Sequence, residues 1–243
     1  MKISNMLLTP NIYSRPVKAL KEVKKIAVHY IGNANTSALA NRNYFNNLAT
    51  THKTFASCHY IIGLEGEIIR CIPENEIAYC TNSANSYSIS IECCHPDNTG
   101  SFNMATYNAL VELCADICKR YGLSPLYDII RHYDVTQKCC PRWWSPNGPN
   151  KNANADFYSF KNNVKKFMED KDMTKDEIIN IVNNVLDTRE KNYSSLKDIP
   201  VWAVKTVEKL INKGALKGSD KGLDLSYSLL RMLVINDRAG LYD

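Results

Sequence analysis

No apolar run in this chain approaches the ~20 residues that a membrane-spanning helix requires. The opening Met1-Lys2-Ile3-Ser4-Asn5-Met6-Leu7-Leu8-Thr9-Pro10 has too short an apolar stretch for a secretory signal. The chain is therefore expected to be made and kept in the cytoplasm until something else releases it, with no membrane among its partners. It has no block of like charge and no basic stripe with interleaved aromatics, so nucleic acid is not an expected partner either. It has no Cys-x-x-Cys pair, which argues against a separate structural zinc site.

Cysteine itself is not scarce. Nine in 243 residues is high and odd, and without a signal sequence they read as reduced thiols rather than a disulfide frame. An apolar fraction of 44% is ordinary for a globular protein, and the length holds one medium domain plus a small one. Net charge is +5 and uneven: residues 1–170 carry 18 Lys and Arg against 14 Asp and Glu, residues 171–243 carry 12 against 11. The small excess suits an anionic polymer without arguing for one by itself.

Lys25 to Ile31 alternates, with Ile26, Val28 and Tyr30 on one face and Ala27, His29 and Ile31 on the other. Residues 37–48 read as a helix with Tyr44, Phe45 and Leu48 on its apolar side. Two short runs, Cys58–Ile62 and Glu67–Ile72, flank Leu64-Glu65-Gly66 as a hairpin. Ser88–Cys94 alternates again, Ile89, Ile91 and Cys93 opposing Ser90, Glu92 and Cys94. The clearest helix is 104–121, where Tyr107, Leu110, Val111, Cys114, Ile117, Cys118 and Tyr121 recur at helical spacing and Gly122 stops it. A short strand follows at Asp128–His132, a loop at 145–154, and a helix at about 156–168 carrying Phe157, Phe160, Val164, Phe167 and Met168. The expected class is α/β: a mixed central sheet flanked by helices over residues 1–168, followed by a small three-helix domain over 174–243. Thr174 and Glu177 make a capping box for the first tail helix, with Ile178, Val182, Val185 and Leu186. The second carries Ala203, Val207, Leu210 and Ile211; the third carries Leu229, Leu230, Leu233 and Val234. So small a bundle is near the lower limit of independent stability, and self-association through residues 174–243 is one way to support it.

The chemistry concentrates in Arg131-His132-Tyr133-Asp134-Val135-Thr136-Gln137-Lys138-Cys139-Cys140-Pro141, read with the distant His29. Two imidazoles and a thiolate make a three-ligand zinc site that leaves a fourth position open for water. Taken singly, His29, His132 and Cys140 are more ordinary as core or surface residues; the combination with Lys138 is what points to a metal-assisted amide hydrolysis. Such a reaction needs a base for the water and an acid for the departing amine. Glu92, acidic within a run of Ser, Ile and Cys, is the candidate, against the plain alternative of a salt-bridged carboxylate at a sheet edge. Lys138 would steady an oxyanion, its alternative being a solvated loop lysine. His59 is open between a group orienting a ligand from behind, a substrate contact and a core histidine; His52 and His95 are assigned nothing.

Ala27-Val28-His29-Tyr30, Ala56-Ser57-Cys58-His59-Tyr60-Ile61-Ile62, Ser88-Ile89-Ser90-Ile91-Glu92, Arg131-His132 and Lys138-Cys139-Cys140-Pro141 together resemble the type 2 N-acetylmuramoyl-L-alanine amidases. That family includes phage lysozymes of the zinc-amidase type and animal peptidoglycan recognition proteins, and the resemblance covers roughly residues 7–168. It implies zinc at His29, His132 and Cys140, Glu92 as the catalytic carboxylate and Lys138 as the transition-state cation. It implies a peptidoglycan hydrolase cutting between N-acetylmuramic acid and L-alanine: a phage or prophage endolysin of clostridial type that reaches the wall through a holin-type pore. The chain departs from the family in two places. Cys58 stands where part of the family has a catalytic Tyr, and Ala78-Tyr79-Cys80 stands where many members have a Trp-His pair. The tail from Asp198-Ile199-Pro200-Val201-Trp202-Ala203 to Lys213-Gly214-Ala215-Leu216-Lys217-Gly218 resembles one surface-layer-homology-type repeat without its Thr-Arg-Ala-Glu signature. It implies a module for a cell-wall polymer, the alternative being a dimerisation or stabilising appendix. A peptidoglycan-binding protein without catalysis, and an intracellular amidase recycling soluble wall fragments, are the competing functions. Retention of Cys140, Glu92 and Lys138 weighs against the first, and the extra tail against the second.

Overall fold

The alternating runs pair into one six-stranded sheet. Its strands are β1 (Ile3–Asn5), β2 (Lys25–Tyr30), β3 (Tyr60–Ile62), β4 (Ile68–Arg70), β5 (Ser88–Cys93) and β6 (Ile129–Arg131), in the order β1-β4-β3-β5-β2-β6. This is a computed structural model that describes residues 1–172, 179–184, 191–220 and 222–243. The chain divides into two compact units, Met1–Asp172 and Met173–Asp243.

Within this sheet only β3 and β4 pair antiparallel, as the hairpin predicted from Leu64-Glu65-Gly66; its other strand pairs are parallel. Gly66 turns the hairpin at φ 78, and a Cβ there would lie 2.9 Å from the Ala105 carbonyl oxygen, so the turn needs glycine. Parallel strands require long crossovers, and helices supply them on both faces. These are α1 (Ala38–Thr51), α2 (Met104–Tyr121), the short α3 (Pro125–Asp128) and α4 (His132–Thr136), and α5 (Ala153–Asp172). The mixed sheet between helix layers is the predicted class.

The period-two pattern decides which face receives which helix. Ile26 and Val28 of β2 and Ile89, Ile91 and Cys93 of β5 are buried with Leu110, Leu113, Cys114 and Ile117 of α2 and Phe157, Phe160 and Val164 of α5. Each such side chain contributes ~1.5–3 kcal/mol by leaving water. On the opposite face, Phe45 and Leu48 of α1 pack with Ile61 and Ile69 of β3 and β4. The neighbouring part of that face, on β2 and β5, carries His29, Ser90 and Glu92. In register, Ala27 stands beside Ser90 and His29 beside Glu92.

Helix α2 has the predicted bounds. Asn103 caps its start by accepting from Thr106 N, and Gly122 ends it at φ 65. Tyr121 departs from the predicted stripe: it is largely exposed and donates its hydroxyl to Glu74 at 2.9 Å. The strands read from the sequence at 58–62, 67–72 and 128–132 are each three residues long, and His132 opens helix α4 instead of ending a strand. β1 was not anticipated, because three edge residues carry too little pattern to register. Seven of the nine cysteines are buried thiols, which leaves Cys80 and Cys139 as the partly exposed ones.

In the second unit, helices Val201–Asn212 and Tyr227–Arg238 flank a two-stranded ribbon, Asn192–Tyr193 with Leu225–Ser226. Tyr193, Ile199, Ala203, Val207, Leu225, Leu230 and Val234 form its core. Leu229 is 38% exposed, so the buried stripe of the last helix runs through Leu230 and Val234. Residues 179–184 are helical and Val182 there is exposed; the predicted capping box at Thr174 and Glu177, and Ile178, Val185 and Leu186, lie outside the described residues. No described helix is long and apolar enough to cross a membrane.

Candidate metal centre

Adjacent parallel strands β2 and β6 carry the two histidines to one place. His29 sits in β2, and His132 follows β6 at the first position of α4. The segment after α4 returns Cys140, whose carbonyl accepts from Tyr133 N at 2.9 Å. His29 Nδ1 lies 3.6 Å from Cys140 Sγ, and the two imidazole rings meet edge to face with centroids 4.9 Å apart. One ligand atom from each of His29, His132 and Cys140 lies within 4.8 Å of the others, and all three residues are buried. Tetrahedral zinc with bonds of ~2.0–2.3 Å sets ligand atoms roughly 3.5 Å apart, close to the 3.6 Å between His29 Nδ1 and Cys140 Sγ.

The far nitrogen of each ring is already held. His29 Nε2 meets Thr81 Oγ1 at 2.8 Å, and that hydroxyl meets Ser90 Oγ at 3.0 Å. His132 Nε2 donates to Asn82 Oδ1 at 3.0 Å, an oxygen that only accepts, so Nδ1 keeps the lone pair. Thr81 and Asn82 open the 3-10 turn at Asn82–Ser86, and Asn85 Oδ1 accepts from Thr81 N at 2.6 Å and Cys80 N at 3.0 Å. Asn82 stands at φ 54, a conformation that asparagine tolerates better than most residues. Such outer contacts fix the tautomer and aim of a metal-binding imidazole.

Burial, reinforced by His132 and Lys138, holds the His29 imidazolium well below the ordinary histidine range. Burial and then Lys138 bring His132 down to about 4. Both rings are therefore neutral near pH 7, with lone pairs available to a cation. Burial and the nearby Glu92 push the Cys140 thiol up, with Lys138 pulling the other way; a bound dication favours the thiolate outright.

Glu92 lies beside His29 at the floor of a pocket of about 530 Å³ that also holds His132, Lys138 and Cys140. Its Oε1 accepts from the Cys80 thiol at 3.5 Å, while Oε2 is sealed from solvent with no hydrogen-bond partner among the described residues. Burial raises this carboxyl to about 8, against the pull of Cys80 and Lys138. Glu92, Cys80 and His29 form a second group whose atoms lie close enough to share an ion. The His29–His132–Cys140 group is the better donor set, since Thr81 and Asn82 orient both its imidazoles and the Glu92 carboxylate is engaged with the Cys80 thiol.

A profile of the N-acetylmuramoyl-L-alanine amidase family matches residues 19–143, a span that contains all five of these side chains. The chain belongs to that family. It is 31% identical over 240 residues to the N-acetylmuramoyl-L-alanine amidase BlyA of Bacillus subtilis (strain 168), covering 87% of this chain and 62% of that protein. It is 40% identical over 157 residues to the amidase CwlL of Bacillus licheniformis, covering 59% of this chain and 43% of that one. The chain thus spans less than two thirds of these relatives' lengths. Among solved structures, the catalytic domain of XlyA superposes with a TM-score of 0.54 at 26% identity, over 68% of this chain and 99% of that one. A mutant endolysin from Bacillus subtilis superposes with a TM-score of 0.53 at 26% identity, over 67% and 98%.

Within this family frame the remaining sequence candidates fall into place. His59 is fully buried: its Nδ1 accepts from Ser90 N at 2.9 Å and its Nε2 donates to the Glu76 carbonyl at 2.9 Å. Both nitrogens are spent on the main chain, which favours reading His59 as a core histidine over a substrate contact. Cys58 is buried in the α1-side core, and Cys139 turns its sulfur toward the Arg142 carbonyl at 4.0 Å. At the Ala78-Tyr79-Cys80 departure, Tyr79 and Cys80 line the pocket and the Cys80 thiol meets the carboxylate. The sequence reading assigned nothing to Thr81, Asn82 and Asn85. Their one signal was a polar turn placed just ahead of the Glu92 strand.

Proposed function

We propose that this chain hydrolyses the amide between N-acetylmuramic acid and L-alanine in bacterial peptidoglycan, using zinc held by His29, His132 and Cys140. The observation that carries the reading is the convergence of those three donors beside a carboxylate with an orphaned, buried oxygen. When bound, the ion supplies Lewis acidity, lowering the pKa of a water to about 7 and polarising a carbonyl.

The chain's own residues supply the rest. Glu92, raised to about 8 by burial, stands near the pH at which a carboxyl both takes and returns a proton. The Glu92 carboxyl, which lines the pocket, removes the proton from the attacking water as the new C–O bond forms. The same carboxyl then protonates the alanine nitrogen as the C–N bond breaks, leaving a lactyl carboxylic acid and a free amine, which exchange a proton to become carboxylate and ammonium. Lys138, at the pocket rim, offsets the negative charge on the carbonyl oxygen. Burial keeps both imidazoles neutral, and Thr81 and Asn82 keep them aimed. Residues 174–243 serve as a module that holds the chain to the wall, and the lytic role of an endolysin released through a holin-type pore is the setting that suits both units.

End-group analysis of digested walls tests this reading. New L-alanine amino termini that disappear with a chelator are the expected result. New reducing sugars would indicate a glycosidase and overturn it.

A further inference from the structure

The tail carries a built groove that the chemistry above does not use. On the helix Tyr227–Arg238, residues Tyr227, Arg231, Ile235 and Arg238 share a face, and with Trp202 they line a groove of about 500 Å³. Trp202 and Tyr227 meet edge to face with centroids 5.9 Å apart, and they are 41% and 42% exposed. Ring surface that a core would normally seal is therefore open. Among the described residues neither Arg231 nor Arg238 has an ion-pair or hydrogen-bond partner, and the groove lining contains no carboxylate. By contrast, Lys209 of the neighbouring helix is paired with Asp237 and Asp243.

Two guanidinium groups with no partner among the described residues select an anion, because each offers a rigid fork to phosphate or carboxylate. The aromatic pair selects a ligand with flat apolar C–H faces, which a pyranose ring has. Spacing adds the third constraint. Arg231 and Arg238 are seven residues apart on one helix, so their Cα atoms lie about 10 Å apart along the axis. The stretch from Tyr227 to Arg238 spans about 16 Å, longer than one sugar residue. A second copy of this chain is a poor occupant, since a twofold contact across the groove would set these arginines against their own images.

We propose that this groove binds an anionic wall glycan, its sugar rings on Trp202 and Tyr227 and its repeating charges on Arg231 and Arg238. The polymer's identity rests on the wall-hydrolase reading; the groove does not. The shared chemistry has two sources, phosphodiester-linked wall polymers and the carboxylates of peptidoglycan itself.

Cosedimentation of the full chain with purified walls tests the proposal, using walls before and after removal of phosphodiester-linked polymers with cold hydrofluoric acid. The R231Q/R238Q variant should lose about tenfold or more in wall affinity, as loss of paired charge-assisted contacts implies. It should keep wild-type release of L-alanine amino termini from a soluble muropeptide. W202A should also weaken binding, and W202F should restore it. Binding that vanishes with acid treatment assigns the charges to phosphate; binding that survives, while still sensitive to R231Q/R238Q, assigns them to peptidoglycan. Wild-type wall affinity in R231Q/R238Q overturns the groove, as does a variant that changes only the sedimentation coefficient. No cleavage of the soluble muropeptide by the wild-type chain would sink the amidase reading while leaving the binding result intact.

Discussion

Thr81→Val isolates the contact that prepares His29 for a metal. The threonine is fully buried, and its hydroxyl is the partner of His29 Nε2 at 2.8 Å and of Ser90 Oγ at 3.0 Å. Valine keeps the branched shape and removes the oxygen. The His29 Nε2 is then left buried and unpaired, at a cost of ~1–3 kcal/mol in stability. The ring also loses the restraint that keeps its Nδ1 lone pair facing Cys140, 3.6 Å away. Loss of such an outer contact typically weakens metal binding by ~10–100-fold, or ~1.4–2.7 kcal/mol. Competition of the purified chain against a chromophoric zinc chelator measures the second quantity, and urea unfolding of the metal-free chain measures the first. Thr81→Ser, which keeps the oxygen, should recover most of both. Unchanged zinc affinity together with unchanged stability in Thr81→Val would show that the hydroxyl does not hold this ring.

Two further outcomes are expected. Glu92→Gln should retain zinc and wall binding while turnover falls by ~10²–10⁴-fold, the usual range for a lost general base; near-normal turnover would remove Glu92 from the proton transfers. Burial, against the hydrogen bond to Glu76, lowers His59 from 6.5 to about 4, so on acidification the unfolded chain takes this proton first. Its contribution to stability is complete above pH 6.5 and is lost as pH falls from there towards 4, by up to about 3 kcal/mol. Urea unfolding across that window measures the loss, and imidazole NMR shifts of His59 that move near pH 6.5 would contradict it.

Much of this architecture is legible in the residues because each step follows a simple period. Ile26 and Val28 alternate with Ala27 and His29, which puts the histidine on the face opposite the α2–α5 core. Glu92 follows from the same rule in β5, and the paired register then sets it beside His29. Lys138 and Cys140 could be read from the Lys-x-Cys-Pro register that the family resemblance supplies, which separates Cys140 from the adjacent Cys139. What escapes is whatever depends on irregular backbone. Cys80, Thr81, Asn82 and Asn85 form no periodic pattern, and a turn rich in Asn and Ser reads the same whether it faces solvent or the back of a metal site. His59 was undecidable for a related reason: both its partners are main-chain groups, Ser90 N and the Glu76 carbonyl, and these leave no trace in side-chain identity. The tail ribbon Asn192–Tyr193 with Leu225–Ser226 escaped because two-residue strands carry no period at all.

Zinc K-edge X-ray absorption on the purified, full-length chain addresses the convergence of His29, His132 and Cys140 directly. One zinc per chain is expected, with two nitrogen scatterers at ~2.0–2.1 Å and one sulfur at ~2.3 Å, the sulfur shell vanishing in Cys140→Ser. Stoichiometric zinc without a sulfur shell, or a chain that retains no zinc, would contradict it.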